Sequence, residues 1–339
     1  MTPRAAMRDT LSRERGEPGG RVHRALPFPR ARHWWSVATC ASTLVLIFIG
    51  GLVTSTGSGL AVPDWPLSYG MLMPPMVGGV FYEHGHRMAA TFVGLLTLVL
   101  AVWTARREPR AGVRKLAWGA LAAVVVQGLL GGLTVIFLLP TSVSVLHACL
   151  AQAFFCLTIA LALATSREWI EAGPPAEDVA SVRTAAGLAT TVVFAQLLLG
   201  ALMRHTGAGL AISDFPLALG RVVPPLDSAP VTLHFLHRVG AVAVVAAALW
   251  LARQARRSRD RRFSRPATLL LVLVALQVGL GAATVLTGKA VLPTTAHVAT
   301  GAAVLGLSWL LTLRARLHLR RPQAMAVLTA PLPDAAPTP

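Results

Sequence analysis

The sequence predicts an all-α integral membrane protein, with eight transmembrane helices forming two parallel-repeat four-helix units related by pseudo-twofold symmetry. Three observations carry this. Of 339 residues, 54% are hydrophobic and only 13% charged, whereas soluble domains carry about 25% charged residues. Apolar runs of about 20 residues recur along the chain, each long enough to cross about 30 Å of hydrocarbon as a helix. A polar segment rich in Gly, Pro and Asp occurs twice between apolar runs, in register. The runs do not alternate as the strands of a membrane β-barrel do.

The elements follow in order. Apolar runs place spans near residues 35–54, 86–103, 116–138, 145–164, 185–203, 233–251, 267–286 and 295–313. They divide the chain into a basic tail (1–33), an N-terminal unit (34–166), a linker (167–184), a C-terminal unit (185–314) and a second tail (315–339). Asp9, Glu14 and Glu17 in the first tail argue against a transit peptide, and no cleavable signal pattern precedes the first span. The first helix is expected to serve as its own insertion signal.

The net charge of +17 is unevenly placed. Arginines crowd the first tail, the connections RREPRAGVRK and RQARRSRDRRFSR, and the last segment, with Arg314, Arg316, Arg320 and Arg321. The alternate loops carry Arg221 and Lys289 as their clear basic residues. By the positive-inside rule both termini face the cytoplasm, in a bacterial plasma membrane. The connection between the fourth and fifth spans is mixed, with Glu168, Glu171, Glu177 and Asp178 beside Arg167 and Arg183, and acids count little in this rule. Insertion accounts for the arginines without any nucleic-acid partner. The cysteines Cys40, Cys149 and Cys156 lie in apolar runs without metal-ligand spacing and read as small buried hydrophobes.

The repeat is internal duplication. Residues 50–70 read GGLVTSTGSGLAVPDWPLSYG and residues 200–220 read GALMRHTGAGLAISDFPLALG. It continues through Pro74-Pro75 with Pro224-Pro225, His86-Arg87 with His237-Arg238, Gln127 with Gln277, and His147 with His297. An even number of spans per unit makes both units enter from the same side, as in parallel-repeat transporters. Glycines and alanines crowd the third and seventh spans, where small residues allow helices to approach.

Four of the ten histidines, His86, His147, His237 and His297, thus occupy repeated places, near the starts of even-numbered spans and so toward the outer face. Each unit presents two imidazoles at similar depth, the donor set for a haem iron, which takes one nitrogen on each side of a flat ring. The ordinary alternative is an interfacial histidine satisfied by backbone or water, a use that does not account for duplicated pairs. Zinc would need three or four protein ligands. Arg87 and Arg238 read either as partners for haem propionates or as snorkelling interfacial residues. His23, His33 and His318 belong to basic segments; His84, His205 and His234 lack a histidine counterpart.

The repeat also breaks. Glu83 in EHGHR stands where His234 stands in HFLHR, three residues before the histidine candidate, a spacing that puts both on one helix face. A carboxylate beside one site alone would make the first unit the reactive one and the second an electron relay. The alternative is an acid favoured by the dipole at a helix start. A di-iron centre would need further glutamates inside the bundle. Asp64 and Asp214 read as turn or cap residues, and Trp65 as a ring at headgroup level.

Together, TSTGSGLAVPDWPLSYG, the step from Glu83 to His86-Arg87, HACLAQ from His147, HFLHR from His234 and TTAHVATG from Thr294 resemble the haem A synthase family. The likeness covers about residues 35–315. It implies oxidation of a methyl group of haem o, through the alcohol, to the formyl group of haem a; if His86 and His147 both bind the substrate iron, water is the expected oxygen source, and an iron-bound oxidant after one histidine leaves is the alternative. It implies that His237 and His297 ligate a haem b cofactor, that His86, His147 and Arg87 serve the substrate haem, and that Glu83 is catalytic. The implied partners are haem o, the bilayer, haem o synthase, an electron acceptor and a second copy of the chain. Many members carry a cysteine pair in the first outer loop; here Val62 and Ser68 stand near those places. Two other classes remain at this stage. A bis-histidine electron-transfer cytochrome leaves Glu83 without a purpose. A transporter would need polar groups at the midplane, whereas here they gather near one face.

Overall fold

The computed structural model describes residues 28–171 and 179–317. Most of the first tail with His23, the acids Glu177 and Asp178, and His318, Arg320 and Arg321 lie outside the described residues. The helices are α1 (Arg30–Ser55), α2 (Gly79–Arg107), α3 (Ala111–Ile136), α4 (Thr141–Ala164), the short α5 (Arg167–Ile170), α6 (Val179–His205), α7 (Ala229–Arg257), α8 (Arg261–Leu286) and α9 (Val291–Leu317). All but α5 are long and apolar enough to cross a membrane, and no strand is present among the described residues.

The helices outrun the apolar runs that announce them. α2 begins at Gly79, whereas hydropathy starts its span at 86, because Tyr82, Glu83, His84 and His86 interrupt the apolar signal. Main-chain bonds, not side-chain polarity, decide the helix once it leaves the loop. Ends are set locally. Gly57 (φ +67°) and Gly207 (φ +76°) take the left-handed conformation that closes α1 and α6, and the Asp260 side chain accepts from Arg262 N to start α8.

Round the first half the neighbours run α1–α2–α3–α4 and back to α1, and round the second α6–α7–α8–α9 and back to α6. Each half is therefore a closed four-helix ring with its own apolar core. The halves meet where α9 touches α1 and α4, and α4 touches α6. Phe155, Ile159 and Ala302 fill that seam. A methyl group on Gly306 would lie 2.8 Å from both Phe155 and Ile159, so the seam rests on that glycine.

The two ends of the bundle differ in chemistry. At one end Glu108, buried between α2 and α3, pairs with Arg32 and with Arg110 at 2.6 Å each. Burial pushes its carboxyl up, but the bonds from Arg110 and the charges of Arg110 and Arg32 outweigh this and hold it below the usual range. Arg314 pairs there with Glu168 at 2.8 Å. The other end carries two long repeated loops, 56–78 and 206–228, and all four repeated histidines.

Candidate functional site

His86 and His147 project from α2 and α4, and His237 and His297 from α7 and α9. In each ring these two helices stand on one diagonal, because their direct neighbours are the other two. Glycines on the second diagonal receive the imidazoles. A methyl group on Gly50 or Gly131 would lie 3.1 or 3.2 Å from Cε1 of His86 or His147. On Gly200 or Gly281 it would lie 3.1 or 3.0 Å from Cε1 of His237 or His297. Each ring is thus lodged against bare backbone, a role the sequence analysis missed. The signal was present: Gly50 with Gly200 and Gly131 with Gly281 keep the register of the repeat.

The rings of His237 and His297 lie 6.5 Å apart between centroids, at 65°. Two imidazoles on one iron, with metal–nitrogen bonds of about 2 Å, need a centroid separation of roughly 6 Å. The separation of the second pair is therefore close to that of two imidazoles on one iron. Among the described residues no group of three or more His, Cys, Asp or Glu converges, so the donor set of each pair is two nitrogens.

The pairs differ in how they are held. Nδ1 of His297 meets Gln277 O at 3.1 Å, and Nδ1 of His237 meets Gln196 Nε2 at 3.1 Å. Gln196 also donates to His237 O at 2.7 Å. In the first half Gln127 donates to His147 O at 3.0 Å, and Leu46 stands where the repeat places Gln196. There Nδ1 of both His86 and His147 is buried without a hydrogen-bond partner.

Glu83 and His234 do turn out to hold equivalent positions. Glu83 Oε2 accepts from Val62 N at 2.8 Å, and His234 Nδ1 accepts from Ile212 N at 3.2 Å. Only the carboxylate adds an ion pair, to Arg87 Nη2 at 2.6 Å. Arg87 reaches on to Asp64 O at 2.7 Å and Leu67 O at 2.9 Å. Arg238 likewise binds Asp214 O and Leu217 O at 2.7 Å each. Each arginine clamps its repeated loop to its helix, a role outside the two readings open from sequence. Glu83 is brought to Arg87 and the loop; no hydrogen bond joins it to His86 among the described residues.

The loops need no cross-link. Asp64 accepts from Tyr69 N at 2.6 Å and Gly70 N at 2.8 Å, and Asp214 from Leu219 N and Gly220 N at 2.7 and 2.8 Å. These bonds, led by that from the glycine, hold both carboxyls below their ordinary range. Both aspartates are therefore turn residues, as their Gly-Pro setting predicts. Ser68, near one missing cysteine place, bonds His84 Nδ1 at 2.8 Å. Trp65 lies against α3, where a methyl on Gly132 would meet its ring at 2.6 Å.

Comparison with known proteins gives a consistent result. The model of a family described as cytochrome oxidase assembly protein matches residues 33–79 and 78–309. A protein of Symbiobacterium thermophilum named Heme A synthase is 36% identical over 259 residues, covering 73% of this chain and 83% of its own. A second of that name, from Halalkalibacterium halodurans, is 30% identical over 277 residues, covering 79% and 89%. A third, from Shouchella clausii, is 31% identical over 269 residues, covering 76% and 87%.

Proposed function

We infer that this chain, which belongs to the cytochrome oxidase assembly family of the haem A synthases, uses its two histidine pairs for two different haems. The chain is a multi-pass membrane oxidoreductase of haem a biosynthesis, acting on haem o. The second pair, His237 and His297, holds a resident haem b. The first, His86 and His147, receives the substrate, with Glu83 as the catalytic carboxylate and Arg87 fixing that carboxylate in the substrate site.

The observation that carries this division is the unequal anchoring of the imidazoles. A ligand histidine whose second nitrogen is hydrogen-bonded has its tautomer and orientation fixed before the metal arrives. His297 has such a partner, its Nδ1–H donating to Gln277 O, and the ring of His237 rests against the amide of Gln196; Nδ1 of His86 and of His147 has no partner. A pair with one preorganised imidazole suits a cofactor that stays, and an unanchored pair suits a substrate that must enter and leave.

With His86 and His147 both bound to the substrate iron, oxygen would find no open coordination position there. The proposed chemistry therefore lies at the ring edge. The methyl carbon gives up two electrons and a proton, and water adds its oxygen there and loses a second proton. Glu83 accepts the proton of that water as general base. A second round yields the hydrated aldehyde, which loses water to the formyl group. A haem held by His237 and His297 would supply a route for those electrons to an external acceptor.

The test is pigment analysis of the full-length protein from cells supplied with haem o. Alanine at His237 or His297 should remove the low-spin haem b spectrum, while alanine at His86 or His147 should keep that spectrum and stop haem a formation. Retention of the haem b spectrum in both second-pair variants would put the cofactor elsewhere. Alcohol oxygen derived from dioxygen would rule out attack by water; the alcohol must be the species analysed, because an aldehyde exchanges its oxygen with solvent.

A further inference from the structure

The repeat breaks once more, at the seam. Thr54 and Ser55 of α1 correspond to Arg204 and His205 of α6, so only the second half brings a guanidinium here. Gly200, whose backbone receives His237, lies one helical turn before Arg204 and on the same face. From that face the side chain crosses to the other half. Its Nη2 donates to Gly51 O at 3.0 Å and to Ser55 Oγ at 2.9 Å. Gly51 adjoins Gly50, the glycine that receives His86. Ser55 Oγ also accepts from Thr295 Oγ1 at 3.0 Å, two residues before His297 on α9.

One side chain therefore runs from the backbone supporting one histidine pair to the backbone supporting the other. The cation is uncompensated: among the described residues no carboxylate forms an ion pair with Arg204. A guanidinium stays charged at any ordinary pH, and an ionised group inside a span is costly enough to require a use.

We propose that Arg204 is a positioning residue that sets one fixed positive charge between the two haem sites and thereby raises the reduction potential of the haem at His237 and His297. Reduction removes one unit of positive charge from a haem, so a nearby cation disfavours the oxidised form, and the effect is strong where the dielectric is low. The proposal rests on the reading that His237 and His297 hold a haem.

The test is a potentiometric titration of the low-spin haem spectrum in the full-length holoprotein, read optically and without substrate turnover. Arg204→Gln should lower the midpoint potential, and Arg204→Lys should leave it closer to the unsubstituted protein. Ser55→Asp keeps Arg204 but puts a carboxylate against it, and should lower the midpoint in the same direction. Arg204→Met, a second uncharged side chain of similar length, gives the same reading if Arg204→Gln does not accumulate. A retained spectrum with an unchanged or raised midpoint in the variants would overturn the proposal and leave Arg204 as a seam clamp. A colourless unsubstituted protein would instead sink the haem reading itself, and this inference with it.

Discussion

Glu83 and His234 solve one structural problem with different chemistry. Each accepts the main-chain N–H that ties a repeated loop to its helix, at Val62 and Ile212. The fold therefore requires an acceptor here but not a charge, and the ion pair of Glu83 with Arg87 exceeds that requirement. This separates the two functions experimentally. Glu83→Gln retains an amide oxygen for Val62, and Glu83→His copies the second half. Both variants should accumulate with the haem b spectrum intact yet form no haem a, with haem o or its alcohol building up. If removing the general base alone is what matters, the loss should reach about 10²- to 10⁴-fold. Full haem a production by either variant would reduce Glu83 to a loop anchor. Sequence reading found this residue because a broken repeat is visible at a single position. It missed Gly50, Gly131, Gly200 and Gly281 because close approach of a ring to backbone is a property of two helices, and a glycine in an apolar run signals it no differently from Gly128, which meets nothing.

At the scale of elements, hydropathy located all eight long helices but misjudged where they start, most of all in α2. Lipid exposure writes the apolar run, whereas the first turns of α2 pack under the outer loop and carry polar residues for that contact. The connection from α3 to α4 holds a second feature that pattern reading passes over. Leu138 and Leu139 sit at φ +58° and +60°, the left-handed region. In the second half the corresponding turn begins with Gly288 at φ +62°. A side chain there costs about 1–2 kcal/mol, offset in part by the roughly 0.5–1 kcal/mol that glycine loses through its freer unfolded chain. The Leu138 side chain is three-quarters exposed, so little packing is lost with it. Leu138→Gly should therefore stabilise the protein by about 0.5–1 kcal/mol, seen as a higher melting temperature in detergent. A lower one would mean that Leu138 packs on lipid or partner in a way that outweighs its backbone.

Over the whole molecule, duplication announced two units, but not the surface on which they meet. The small residues of the third and seventh spans admit His147, Trp65 and His297, while the seam uses α1, α4, α6 and α9, where Gly306 admits Phe155 and Ile159. Only the fold could reveal that, since every span offers small residues. Charge is the property that sequence carries best at this scale, because a bilayer sorts it end from end. Arg32, Arg110, Arg114, Arg262 and Arg314 cluster at the end of the bundle away from the repeated histidines, and most are held there by carboxylates or carbonyls rather than left loose. The positive-inside rule predicts that such an end is retained on the cytoplasmic side during insertion, since basic residues near span ends set orientation. The loops around Leu67 and Leu217 should then lie outside, with the histidine pairs close beneath them. Fusions of an export-dependent reporter at Leu67 and Leu217 should be active, and fusions at Arg110 and Arg259 inactive, with a cytoplasmic reporter giving the reverse. The inverted pattern would bring both haem sites to the inner leaflet, where haem o would have to enter from the cytoplasmic side and the outer-loop clamps of Arg87 and Arg238 would face the cell interior.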